Sequence, residues 1–126
     1  MRVVTSAEPA DDAPPPHEAI GAGKIIRPGF YGHVEVTAIP RDSLEVSVEA
    51  GQVAFGHGIP PEERESVIAA ARHVLAEAVS SGSLRCGVRL VIDHGSFHPQ
   101  SRSAHAEATN LAVAHALRRG KFIREA

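Results

Sequence analysis

The chain contains no tryptophan, and its aromatics are four phenylalanines and one tyrosine, 4% of 126 residues. A core must therefore be assembled from Val, Ile, Leu and Ala. There is one cysteine, Cys86. That excludes an internal disulfide and a cysteine-rich zinc site, and it suits the cytosol. Net charge is small, −2 from 13 basic and 15 acidic residues. This argues against a broad basic surface that grips nucleic acid indiscriminately, while leaving room for a local basic patch. No apolar run approaches the ~20 residues of a membrane span, and the N-terminus lacks the apolar stretch of a signal peptide. The expectation is a cytoplasmic protein with no membrane partner. A Gly-x-x-x-x-Gly-Lys-Ser/Thr loop is missing, which removes P-loop GTP or ATP hydrolysis, and so is a His-Glu-x-x-His pair. What is present is 43% hydrophobic and 22% charged, the balance of one ordinary globular domain long enough to hold its own core.

Residues 1–19 read as a flexible tail, because 7–16 are acidic and rich in proline. Met1–Thr5 is a weak edge-strand signal. The domain is expected to span 20–126. Within it, Ile20–Gly29 has three glycines and Pro28 and reads as a connection, with Ile25 and Ile26 packing on the body. Val34, Val36 and Ala38 alternate with Glu35 and Thr37, and Leu44, Val46 and Val48 with Glu45, Ser47 and Glu49. Both have the period of half-buried strands, and the short Pro40–Ser43 turn predicts an antiparallel hairpin. Val53–His57 is a candidate third strand. Pro60-Pro61-Glu62-Glu63 opens a helix, since proline is tolerated in a first turn and acids there suit the dipole. Val67, Ile68, Ala71, Val74, Leu75, Ala78 and Val79 give its apolar stripe, and Gly82 stops it. Val88–Ile92 is a buried strand. Ala104–Leu117 is a second helix, with Ala104, Ala108, Leu111, Ala112 and His115 on its inner side. Arg118, Arg119 and Gly120 close it. The fold class is α+β: a two-layer sandwich of a small mixed sheet with two helices on one face.

The stretch Gly95-Ser-Phe-His-Pro-Gln-Ser-Arg-Ser103 joins strand to helix. Such a turn presents backbone N–H groups where anions bind well. Gly95 frees its backbone and Pro99 stiffens it beside His98. Ser101 or Ser103 can cap the helix. An exposed tip that touches RNA and an ordinary capped turn are both compatible with these residues.

Taken in order, Arg27-Pro-Gly-Phe-Tyr-Gly-His-Val34, Ile59-Pro60 before a helix, Ser81-Gly-Ser-Leu84 and Gly95-Ser-Phe-His98 resemble domain IV of the translational GTPase elongation factor G. Phe97 stands where that family has tyrosine, and Ser101 and Arg102 where it has aspartate and serine. The resemblance runs from about Lys24 to the C-terminus. It implies a left-handed βαβ crossover, as in ribosomal-protein-like folds, which the usual right-handed rule would not predict. It also implies a tip that enters the decoding centre of the small ribosomal subunit and contacts tRNA and mRNA. The segment before Ile59 is shorter than the family's, so a second tip loop is reduced. The family continues into a further domain beyond the point where this chain stops at Ala126, which reads as one domain standing alone.

The resulting expectation is a non-catalytic domain, without cofactor, that binds the ribosome or structured RNA. The contacts are Ser96, Phe97, His98, Pro99, Gln100, Ser101 and Arg102, with Lys24 and Arg27 extending the basic surface. A homodimer or partner-binding module is the alternative, because surfaces that face other domains in the family would be bare. A small metal-dependent or phosphate-binding enzyme is the third class. For that class His94 and His98 lie four apart across a junction, His105 comes near His98 over the first helical turn and the sequence gives His57 no fixed place, but three converging ligands are required and the expected metal set is none. His33 reads as support for its strand, His73 and His115 as packing or surface residues, Cys86 as a small buried thiol, and Glu62-Glu63 as helix-start charges.

Overall fold

Alternating valines and small polar residues fix the central strand. In the computed structural model, which describes residues 14–56 and 58–124, Phe30–Arg41 forms strand β2, with Val34, Val36 and Ala38 fully buried and their neighbours facing the other side. Ahead of it Ala19–Arg27 forms β1. Then come β3 (Val46–Ala50), a 3-10 turn at Pro61–Glu63, α1 (Arg64–Ser80), β4 (Gly87–Ser96), the two-residue β5 (Arg102–Ser103) and α2 (His105–Arg119). The sheet order is β1-β2-β4-β3, with β5 pairing β2. β1–β2 and β2–β4 are antiparallel. β3–β4 is parallel, so α1 is the crossover between adjacent strands. The first thirteen residues, including Met1–Thr5 and most of the tail, lie outside the described part, as do His57 and the last two residues. From residue 14 on the chain is tied to the body. The His17 N–H donates to Gly120 O, and the Arg85 guanidinium donates to Pro14 O.

Three sequence expectations are corrected. Ile20–Gly29 is a strand over most of its length, not a connection. Its glycines mark where a helix lies directly on the backbone: a Cβ on Gly21 would stand 2.2 Å from Ala112 O and one on Gly23 2.0 Å from Ala108 O. The β1–β2 turn is Pro28-Gly29, with Pro28 supplying the fixed φ and Gly29 the φ of +81° that a type II turn needs. The hairpin of β2 with β3 does not form, because β2 is flanked by β1 and β4, and β4 inserts between β2 and β3. The Val53–His57 candidate is not a strand in its described part, residues 53–56: among the described residues an isolated bridge, Phe55 to Ile59, is present there, and Val53 is exposed, while His57 lies outside the described residues.

Both helices cover one face. Val67, Ala71 and Leu75 of α1 meet Ala108, Ala112, Val113, Ala116 and Leu117 of α2 over Val88, Leu90 and Ile92 of β4. Val79 and Leu111, expected on the inner stripes, are about half exposed. Each helix therefore buries a narrower apolar arc than the spacing implied. Phe122, the one fully buried aromatic of the cluster, closes the bottom behind α2.

This packing predicts a specific sensitivity. Gly23→Ala has to push α2 off β1 and should destabilise the fold by about 2–3 kcal/mol, in the range of overpacked cores. Ala22→Ser, one residue away on the open side, should stay within about 0.5 kcal/mol. Urea unfolding followed by circular dichroism measures both.

Candidate functional site

The expected tip begins inside a strand. β4 runs to Ser96, and one register irregularity decides where its last side chains point. Val36 pairs with Ile92 but Glu35 pairs with His94, so Asp93 is the extra residue of a β-bulge. Thr37 Oγ1 donates to the Asp93 carboxylate there. The bulge reverses the alternation. Val88, Leu90 and Ile92 face the helices, and after the extra residue it is Gly95 that faces inward. His94 and Ser96 join His33 and Glu35 on the open face. Gly95 must be small: a Cβ would lie 2.0 Å from His33 O and 2.7 Å from the Ile59 side chain.

On that face the polar side chains form one chain of contacts. Tyr31 OH and Ser96 Oγ are 2.9 Å apart, and Ser96 Oγ is 3.0 Å from His33 Nδ1. His33 Nε2 is 3.5 Å from one Glu35 oxygen, and His94 Nε2 is 3.1 Å from the other. Burial pushes the His33 imidazole below its ordinary range. The Glu35 carboxylate opposes this, while Lys24 and His94 add to the downward push. His33 thus supports the strand through a hydrogen-bonded array. The sequence contains these residues in plain view, but their convergence depends on the bulge, which no spacing rule reveals.

Beyond Ser96 the chain turns through 97–101 and returns as β5, parallel to the start of β2. Two backbone bonds pin the return: Arg102 N–H to Gly29 O at 2.8 Å and Ala104 N–H to Tyr31 O at 3.0 Å. His98 organises the loop, its O accepting the Ser101 N–H at 3.0 Å and its Nδ1 accepting the Gln100 N–H at 3.3 Å, with Ser101 Oγ also 3.3 Å from that nitrogen. With Nδ1 an acceptor, Nε2 is the nitrogen that carries the proton in the neutral ring. Phe97, His98, Pro99 and Gln100 are exposed, and Ser101 is half-buried. Ser103 rather than Ser101 serves the helix start. Its Oγ accepts the His105 N–H at 3.3 Å and lies 2.8 Å from His105 Nδ1. His105 itself is buried, with Nε2 donating to Ser96 O at 2.8 Å. It links the end of β4 to the first turn of α2. Its two ring nitrogens are both taken, and no group of three ligating side chains suited to a metal stands together among the described residues.

The basic residues divide into two kinds. Arg27 and Arg102 both lie over the Phe30 ring, at 4.7 and 5.7 Å from its centroid. Arg27 also makes a two-pronged bond to Glu107, at 2.8 and 3.2 Å, which holds the Glu107 carboxyl below the usual carboxylate range. Arg102 has no acidic partner among the described residues. Lys24 is exposed on β1 beside His33, on the open face. The loop therefore carries Arg102 and His98 as donors, Arg27 next to them is already paired, and Lys24 belongs to the open sheet face. A cleft of about 410 Å³ runs between the loop and the start of α1, with Tyr31, Phe97, His98 and Ser101 on one side and Pro60, Glu62 and Glu63 on the other. Cys86 is half-buried and its thiol is pushed up by burial, the condition of an unreactive thiol.

Two outcomes follow from these contacts. His105→Leu leaves the Ser96 carbonyl and the Ser103 hydroxyl without their partner, and should lower stability by about 1–3 kcal/mol, measurable in urea. For His33 the unfolded chain takes up its proton at higher pH than the folded one. Its contribution is therefore complete above the unfolded value of about 6.5 and is lost as the pH falls through the folded value below it. Thermal melts between pH 7.5 and 5 should show a smaller loss of Tm on acidification in His33→Gln than in the wild type.

No protein-family model matches the chain, and no curated protein matches it. Among solved structures it is similar to the protein ttk003000868 from Thermus thermophilus, with 20% identity and a TM-score of 0.54 over 88% of this chain. The match spans 16% of that protein's length. At this identity the likeness is one of fold: the small mixed sheet with two helices recurs there as one part of a much longer protein.

Proposed function

We propose that this domain binds the ribosome, through its small subunit, or structured RNA, and that the 97–103 loop with Ser96 behind it is the contact. The observation that carries this reading is Arg102. It is an exposed guanidinium held over an aromatic ring, without an acidic partner among the described residues, at the end of a backbone pinned on both sides. Guanidinium groups presented this way bind phosphate in two-pronged fashion or stack on bases. His98 adds a ring N–H, and Phe97 adds an exposed aromatic face on which an unpaired base can stack. Glu62 and Glu63 across the cleft repel phosphate, so the backbone of the nucleic acid would run on the Arg102 side and only bases or sugars would approach the cleft. The resemblance of Gly95-Ser-Phe-His98 and Arg27–Val34 to domain IV of elongation factor G supports the same end as the working surface. The domain acts by placement and charge, with no chemical step of its own.

Binding to purified small ribosomal subunits, measured by co-sedimentation at two salt concentrations, tests this. The double variant His98→Ala, Arg102→Ala should bind at least tenfold more weakly, and its affinity should fall less steeply with salt, by about one unit of log–log slope for each phosphate contact removed. Binding unchanged in the double variant would reject the loop as the contact.

A further inference from the structure

The two edges of the sheet are treated differently. On β1 two of the outward backbone groups are occupied by side chains of α2: the Ala22 N–H donates to His115 Nδ1 at 3.1 Å, and the Arg119 guanidinium donates to Ile20 O at 2.9 Å. On β3 nothing comparable is present among the described residues. Val88 N–H donates to Glu45 O and Gly51 N–H to Ile92 O. In a parallel ladder this alternation directs the peptide groups of Glu45, Ser47, Glu49 and Gly51 toward β4, and those of Val46, Val48 and Ala50 outward. None of the other hydrogen bonds of the described residues uses those outward groups. β3 has neither lysine nor proline nor a bulge to blunt the edge, and its one charged residue, Glu49, is paired with Arg89. Next to it Leu44 is 77% and Val46 37% exposed, and a groove of about 390 Å³ lined by Val46, Val48, Arg72, Leu75 and Ala76 opens between the strand and α1.

We propose that β3 is the pairing edge for a second copy of this chain, with two β3 strands running antiparallel about a two-fold axis at Val48. The charges select this arrangement. With Val48 opposite itself, Val46 faces Ala50, Ser47 faces Glu49 and Glu45 faces Gly51, so no like charges oppose each other. Moving the axis one residue toward the N-terminus sets Glu45 opposite Glu49, and moving it the other way sets Glu49 opposite Glu49, both unfavourable. The acids are also balanced within each copy, by Arg41–Glu45 at 2.9 Å and Arg89–Glu49 at 2.8 Å on the open face, so pairing brings together two neutral rims. The register satisfies the outward N–H and C=O groups of Val46, Val48 and Ala50 at once, and it sets Val48, a residue of the groove, against its own copy in the partner. An isologous contact of this kind closes on itself and stops at two copies.

The test is the mass of the full chain in solution, by light scattering over a range of concentrations in the presence of reductant, so that Cys86 contributes no cross-link. The expected result is a concentration-dependent monomer–dimer equilibrium. Val48→Pro deletes one outward N–H and leaves the ladder to β4 whole, as proline does on an edge. Val46→Lys places a charge on the same edge. Each should weaken dimerisation at least tenfold with an unchanged circular dichroism spectrum, and because the two act by different means, a folding defect in one leaves the other decisive. A monomer at every concentration, or a dimer that neither variant moves, overturns the proposal. The β3 edge shares no residue with the 97–103 loop, so its failure leaves the RNA reading standing.

Discussion

The close seat of α2 on glycines is the constraint from which the rest of the structure follows. Ala104, Ala108, Ala112 and Ala116 recur at the four-residue spacing of one helix face. The glycines opposite them are Gly32, Gly23 and Gly21, where any Cβ would stand 2.0–2.4 Å from helix backbone atoms. Backbone meets backbone, so α2 has one position available along β1 and β2. That position places the first turn of α2 over Gly32, delivers His105 beneath Ser96 and forces the chain between them to close as the 97–103 loop. A bulkier residue at any of these sites would move the helix and, with it, the loop that the helix start anchors.

The second organising element is the bulge at Asp93. Without it, β4 would send His94 inward and Ser96 would follow the same alternation. With it, Tyr31, His33, Glu35, His94 and Ser96 line one polar track, and the strand ends with its carbonyl held by His105. The loop therefore presents a few donors on a return held by backbone bonds to β2 and by the contacts of His98. A domain that works by placement needs a loop of this kind, because an ordered contact surface loses less conformational entropy on binding.

The sequence disclosed the fold class, both helices, the central strands and the strand–loop–helix junction, since each rests on a strong period or on turn residues at its ends. It misled where one residue type serves two purposes. Glycines at 21 and 23 have the composition of a loop, yet here they are the condition for helix–sheet contact. It misled again at the hairpin, because pairing order is set by which strand inserts next to β2, and that depends on contacts far apart in the chain. At the candidate site, the loop residues were legible as polar and aromatic groups at a junction. The pairing of Arg27 with Glu107, and that Arg102 has no acidic partner among the described residues, were not, because charge counting along the chain does not see which acid a helix turn brings across. Lys24, grouped with Arg27 by sequence proximity, belongs to another face.

Ultraviolet crosslinking of the intact protein to purified small ribosomal subunits, with the linked peptides identified by mass spectrometry, addresses the central reading most directly. RNA adducts should concentrate on the peptide that contains Phe97, His98 and Arg102. Adducts confined to the open sheet face around Lys24 or Arg89, or none on the loop while the protein is bound, would contradict it.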